Sequence, residues 1–205
     1  ILKKFNLSNN DLVVDIGCND GITLQNYPKN LSILGIEPSS AAKYSKDKGI
    51  NTENIFFNNE NAKILKDNYG KAKIITATNV FAHVDNIKDF TQGISNFLDK
   101  EGVFIIEFPY LKYMLDDSLF DVIYHEHLSY LSISPLQNLF SQFNLNIFSI
   151  EEINIGASGP ALRIYVCLNG YHKKDETVAK FIDNEKKWGV KNPNSYLNFS
   201  TKVTE

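Results

Sequence analysis

"VVDIGCNDG", residues 13–21, reads as the end of a buried strand running into a glycine turn. Asp15 stands at the strand's carboxyl end, and Gly17, Asn19 and Gly21 follow in the turn toward a first helix. Glycine at 17 and 21 lets the backbone fold tightly and approach a ligand closely, which a Cβ would prevent. The dinucleotide fingerprint needs glycines at 17, 19 and 22, whereas this chain has Asn19 and Ile22, so NAD is disfavoured. Glu37, in "LGIEPSS", closes a second strand at the spacing of a carboxylate that accepts both hydroxyls of a ribose.

Outward from that turn, short apolar runs alternate with segments of helical period. The strand-like runs are "DLVVDIG" (11–17), "LSILGIEP" (31–38), "NIFF" (54–57), "KAKIITATNV" (71–80) and "GVFIIEFP" (102–109). Between them lie "SSAAKYSKDKG", "NENAKILKDNYG" and "NIKDFTQGISNFLDKEG", the last with Ile87, Phe90, Ile94, Phe97 and Leu98 at three- and four-residue steps. Strands this apolar are buried on both faces, which argues for a parallel sheet covered by helices. Asn58 follows the third strand as a turn residue or a contact for an adenine edge. Asn79 ends the fourth at the carboxyl edge, where open α/β sheets bind ligands.

After Pro109 the rhythm changes. A long insert (110–132) precedes "SPLQNLFSQFN", where Ser134 reads as an N-cap and Pro135 as the first helical residue. Two more strand-like runs, "LNIFSIEEINI" (145–155) and "ALRIYVCLNG" (161–170), are joined by "GASGP". The segment from Lys173 to about Gly189 has the period of an amphipathic helix. The expected division is a ligand-binding domain over 1–170 and a helical linker or tail over 171–205.

Composition narrows the function classes. The 205 residues are 43% hydrophobic and 22% charged, ordinary globular values. A net charge of -3 with scattered lysines leaves no basic face for a phosphate backbone, which argues against nucleic acid. No apolar run approaches the roughly 18 residues of a membrane span. Cys18 and Cys167 lie far apart with no CxxC pair, so a reducing cytoplasm is the expected compartment.

"IYHEHLSY" (123–130) concentrates the insert's polar chemistry. Helical zinc sites use His at i and i+4, whereas His125 and His127 are two apart and no cysteine or acidic cluster stands nearby, so no metal is expected. Proton transfer needs fewer assumptions. In an extended stretch Tyr124 and Glu126 share one side and the two histidines the other. Histidine can remove and return a proton near neutrality, and a neighbouring carboxylate can fix its tautomer.

Taken together, "VVDIGCNDGITLQNYP", "LGIEPS", "ATNVFAHVDNI", "FIIEFPYL", "DDSLFDVIYHEHLSYLS" and "GASGPALRIYV" resemble the S-adenosylmethionine (SAM)-dependent nucleotide-sugar C-methyltransferases, in order along most of the chain. The resemblance implies an α/β class I methyltransferase (Rossmann-like) fold, its sheet mostly parallel with a C-terminal antiparallel pair; periodicity alone allows other doubly wound folds. It implies SAM as cofactor, held by Asp15, Gly17, Asn19, Gly21, Glu37, Asn58 and Asn79. His127 is the implied general base, with Tyr124 and Glu126 beside it and His83 contributing from the fourth strand. The implied reaction removes the C3 proton beside a C4 ketone, and the enolate attacks the SAM methyl group. Tyr110 and Arg163 are candidates for the phosphate or sugar of a nucleotide-sugar substrate.

Family members usually add a small zinc-binding domain before this region and a second Rossmann-like domain after it, so the chain is expected to be a central piece. Many relatives read "HGGS" where this chain has "GASG" (156–159). Sugar O-methylation, a non-catalytic domain that binds SAM or nucleotide-sugar, and a metal hydrolase are the competing readings.

Overall fold

The computed structural model describes residues 1–156 and 159–204. Five parallel strands are present: β1 (Leu12–Ile16), β2 (Ser32–Ile36), β3 (Thr52–Glu53), β4 (Ala72–Thr78) and β5 (Leu98–Pro109). β6 (Leu145–Gly156) and β7 (Gly159–Leu168) complete a seven-stranded sheet in the order β3-β2-β1-β4-β5-β7-β6, with β7 antiparallel to both neighbours. The expected sheet, parallel with a closing antiparallel pair, is therefore present. Ala157 and Ser158, at the "GASG" joint, lie outside the described residues.

Side-chain alternation sorts the sheet into two faces. Leu12, Val14 and Ile16 of β1 point into the larger core with Ile75, Ala77, Phe104, Ile106 and Phe108. That face is covered by α2 (Asn59–Tyr69), α3 (Ile87–Phe97), α5 (Ile133–Ser141) and α6 (Glu176–Trp188). Val13, Ile74, Val103 and Ile105 face a smaller core, with Phe5 and Leu7 of the N-terminal segment packed against it. On that side α1 (Ala42–Asp47) presses Ser45 against Thr52, hydroxyl to hydroxyl at 2.8 Å.

Four local expectations are corrected. The third strand is Thr52–Glu53, not 54–57, because the Asn54 side chain donates to the carbonyls of Glu37 and Ser39 at 2.7 and 3.0 Å and ends the ladder. The helix after the glycine turn shrinks to one 3-10 turn, Leu24–Asn26. There Asp20 accepts from the Ile22 N–H and Asn26 donates to the Ile22 carbonyl, competing with helical bonds, and Pro28 follows. α5 begins at Ile133 with Ser132 as its N-cap, which puts Pro135 at the third helical position.

The last correction is the supposed linker. α6 is capped by Asp175, whose side chain accepts from Thr177 N–H, and by left-handed Gly189. It buries Val178 and Phe181 in the main core, worth roughly 1.5–3 kcal/mol each, so it is part of the domain. α7 (Asn194–Thr204) packs with Trp188 against α4 (Leu111–Asp116), Tyr196 and Phe199 meeting Met114 and Leu115. Among the described residues no helix is long and apolar enough to cross a membrane.

Candidate active site

At the carboxyl ends of β1, β2 and β4 lies a cavity of about 730 Å³, within the size range of small-molecule sites. Of the expected cofactor residues, Gly17, Asn19, Glu37, Asn58 and Asn79 line it, joined by His83. Gly17 has φ +70°, and a Cβ there would stand 2.4 Å from Val80 Cγ2, so the turn's backbone can come close only as glycine. Asn19 and Asn79 also adopt left-handed φ, 52° and 54°, a conformation asparagine tolerates better than most residues.

Glu37 is buried, and its carboxylate accepts from Asn19 N–H at 3.0 Å and Ser39 N–H at 2.9 Å, one bond to each oxygen. An ionised carboxylate offers about four lone-pair sites, so one on each oxygen is left for a diol. Asn58 caps α2 by accepting from Asn61 N–H at 2.7 Å while also lining the cavity. Sequence reading missed Phe56 and Phe57, which form an apolar wall. Phe56 is 75% exposed, an aromatic surface suited to stack on a base.

Two expected cofactor residues stand apart from this cavity. Asp15 alternates onto the smaller-core face, where Thr76 donates to it at 2.5 Å, and burial pushes its carboxyl up to about 6. Gly21, with φ +78°, meets Ile50 and Ser45, so its lack of a Cβ serves packing of the turn on α1.

The segment between α4 and α5 brings the remaining candidates together by folding back, not by running extended. His127 N–H bonds to the Tyr124 carbonyl at 3.1 Å, and this tight turn sets the two rings 4.1 Å apart. The Tyr124 hydroxyl and His127 Nε2 are 2.9 Å apart, and His127 Nδ1 lies 2.7 Å from the Val122 carbonyl. A carbonyl only accepts, so Nδ1 carries a proton, and whenever the ring is neutral its lone pair sits on Nε2 and accepts from Tyr124. The tautomer is thus set by a backbone carbonyl, and the expected role for Glu126 is corrected: its side chain is exposed. The Glu126 backbone carbonyl accepts from His83 Nδ1 at 2.8 Å. The His83 and His127 rings are 4.8 Å apart, which couples the loop to the cavity wall.

Tyr110 and Arg163 are both committed elsewhere. Tyr110 is 2% exposed and donates to buried Glu185 at 2.9 Å. Arg163 Nε and one terminal nitrogen both donate to Glu107, at 3.1 and 2.7 Å, and Glu151 lies 3.7 Å away. Register explains the ladder, since Arg163 stands opposite Glu107 on β5 and Glu151 on β6. Backbone carbonyls such as Val122 O carry no side-chain signal, so sequence reading could not have found them.

A methyltransferase-domain family matches residues 2–150 of the chain. The chain belongs to that family. The methyltransferase domain is 27% identical over 202 residues to C-methyltransferase NovU of Streptomyces niveus, covering 97% of this chain and 48% of that protein. It therefore spans about half the length of the curated relative it matches. Solved structures share its fold. A SAM-dependent methyltransferase from Anabaena variabilis superposes with TM-score 0.63 at 16% identity, covering 82% of each chain. One from Clostridium acetobutylicum gives TM-score 0.60 at 16% identity, covering 82% of this chain and 88% of that one. Family membership and fold together show a methyltransferase domain of class I architecture.

Proposed function

We propose that this SAM-dependent methyltransferase methylates carbon, at C3 of a nucleotide-linked 4-keto sugar, through an enolate generated by His127. The cavity fits the cofactor: Glu37 retains lone pairs for the ribose hydroxyls, the Gly17–Asn19 turn offers close backbone, and Phe56 and Phe57 offer an apolar wall. When bound, SAM supplies an electrophilic methyl on a sulfonium. Everything else falls to the chain's own residues.

The observation that carries the reading is the setting of the His127 ring, with Nδ1 2.7 Å from the Val122 carbonyl and Nε2 2.9 Å from the half-exposed Tyr124 phenol. Carbon methylation needs a base for a C–H, and an imidazole of this tautomer is one. As Nε2 takes the C3 proton it becomes a donor, and the Tyr124 hydroxyl is released to donate to the enolate oxygen. His83 is the poorer donor there, because its Nδ1–H is engaged by Glu126 and its Nε2 carries no proton in the neutral ring. A positioned base typically contributes about 10²- to 10⁴-fold and an oxyanion donor about 10²- to 10³-fold. The resemblance to C-methyltransferase NovU supports carbon as the acceptor.

The test is solvent exchange. In deuterated buffer, wild-type protein should wash deuterium into C3 of a nucleoside-diphosphate 4-keto sugar, and His127→Asn should not, while calorimetry shows SAM still bound. Exchange at the wild-type rate in the variant removes His127 from the base role. Methyl transfer by wild type to a sugar hydroxyl, without C3 exchange, replaces the reading with O-methylation.

A further inference from the structure

Glu185 has no exposed surface, yet its carboxylate has neither lysine nor arginine among its bonded partners in the described structure. Its three donors are the Tyr110 hydroxyl at 2.9 Å, Ile133 N–H at 2.6 Å and Ser134 N–H at 2.7 Å. The last two are the first two N–H groups of α5, which no intrahelical acceptor can satisfy. The third position is Pro135, which has no N–H, and Leu136 N–H is already bonded to the Ser132 carbonyl at 3.3 Å. A single side chain from α6 therefore completes the start of α5, where Ser132 makes no side-chain cap. The positive end of the helix dipole suits an acidic side chain at this position.

These three donors also mark the two ends of one excursion. The chain leaves the sheet at Tyr110 and returns at Leu131, and there it closes with a Tyr110–Leu131 bridge and a Leu111 N–H to Leu131 carbonyl bond at 3.0 Å. The tip is fastened separately, where Leu128 and Ser129 donate to the Ala82 carbonyl at 2.9 and 3.2 Å. Between neck and tip lie Val122, Tyr124 and His127.

We infer that Glu185 is the positioning residue for this segment: from α6, it clamps the neck of the loop that carries the Tyr124–His127 pair. The inference rests on the reading of that pair given under Proposed function. Chemistry requires a carboxylate at this place. In a glutamine, the oxygen could keep Tyr110 and Ile133, but its amide would turn N–H groups toward the Ser134 N–H. Displacing reacting groups by even about 1 Å can cost about 100-fold in rate, so a loosened neck should register first in turnover.

The experiment compares Glu185→Gln, Tyr110→Phe and His127→Asn in the full protein. Three quantities are measured: amide hydrogen exchange across 119–131, SAM affinity, and kcat and KM for methyl transfer. Glu185→Gln should speed exchange in that window and lower kcat about 10- to 100-fold, with KM and SAM affinity held within about threefold. Tyr110→Phe, which keeps the buried ring, should move the same quantities less, and it carries the test alone if Glu185→Gln does not fold. Unchanged loop exchange overturns the inference. So does a loosened loop with unchanged kcat, and so does a uniform rise in exchange with SAM affinity and kcat falling together. His127→Asn separates the two claims: if it leaves kcat intact, the pair is not catalytic, whatever Glu185 does to the loop.

Discussion

The proposed cofactor cradle and the 111–131 segment sit side by side at one edge of the sheet, yet they are held in different ways. Gly17, Glu37 and Asn79 each lie one step past a strand end, and the sheet's own ladder sets them. Gly17 N–H bonds to the Ile36 carbonyl at 2.8 Å, Glu37 N–H to the Glu53 carbonyl at 3.0 Å, and Asn79 N–H to the Glu107 carbonyl at 2.9 Å. Beyond the Tyr110–Leu131 bridge at its neck, the segment has no such ladder among the described residues. It depends on the Ala82 carbonyl, the Val122 carbonyl, the His83 ring and Glu185, each a single point. Binding of the cofactor should therefore survive damage that abolishes chemistry.

The largest break in that comparison is His127→Asn, which should lower methyl transfer about 10²- to 10⁴-fold with SAM affinity near the wild-type value. Loss of both together would mean that the two regions are not separable. Next in size is a stability effect on the hidden side of the cradle. Asp15 is raised by burial from 3.8 to about 6, so folding favours its protonated form. Its contribution to stability is fully present below about pH 3.8 and is lost as pH rises through about 6. Above that, burying the charge costs at most about 3 kcal/mol. Asp15→Asn should therefore gain on wild type in thermal melts between pH 4.5 and 7.5, the difference growing with pH and levelling off. A gap independent of pH would show that Asp15 titrates normally.

What was legible in the sequence follows the same division. The cavity's lining could be read because strand ends and glycine turns are local: Gly17, Asn19, Glu37 and Asn79 all line it. The side to which Asp15 points was not legible, because the motif gives its position along β1 but only the two-residue alternation gives its face. The Tyr124–His127 contact was hidden by treating residues 123–130 as extended; a turn at 124–127 reverses which side chains meet. Glu185 was out of reach altogether, since its partners are 51 to 75 residues away and two of them are backbone amides.

Glu37→Gln breaks the cradle from its open side. One oxygen remains to accept, but the amide sets a donor against a backbone N–H. SAM affinity should fall about tenfold, the order expected for a hydrogen bond to a charged group, with kcat at saturating SAM retained. A fall in kcat with affinity intact would assign Glu37 to the chemistry instead of the cofactor.

The smallest expected effect concerns Arg163, because it asks whether a third region belongs to the site. If the guanidinium served a substrate phosphate, Arg163→Ala would raise KM for the nucleotide-sugar at least tenfold, as loss of a bidentate charge-assisted pair would. The geometry argues otherwise, since Nε and a terminal nitrogen already converge on one Glu107 oxygen and Glu151 flanks the other side. About a third of the side chain is exposed, so solvent screens the pair and its loss should cost about 1 kcal/mol or less. KM should then shift less than about threefold and the melting temperature only slightly. Such a result would leave β7 as scaffold, and substrate recognition would rest on the cavity and the 111–131 segment. A tenfold rise in KM would instead mean that Glu107 yields its partner to the substrate, and the ladder across β5, β7 and β6 would be part of the binding surface.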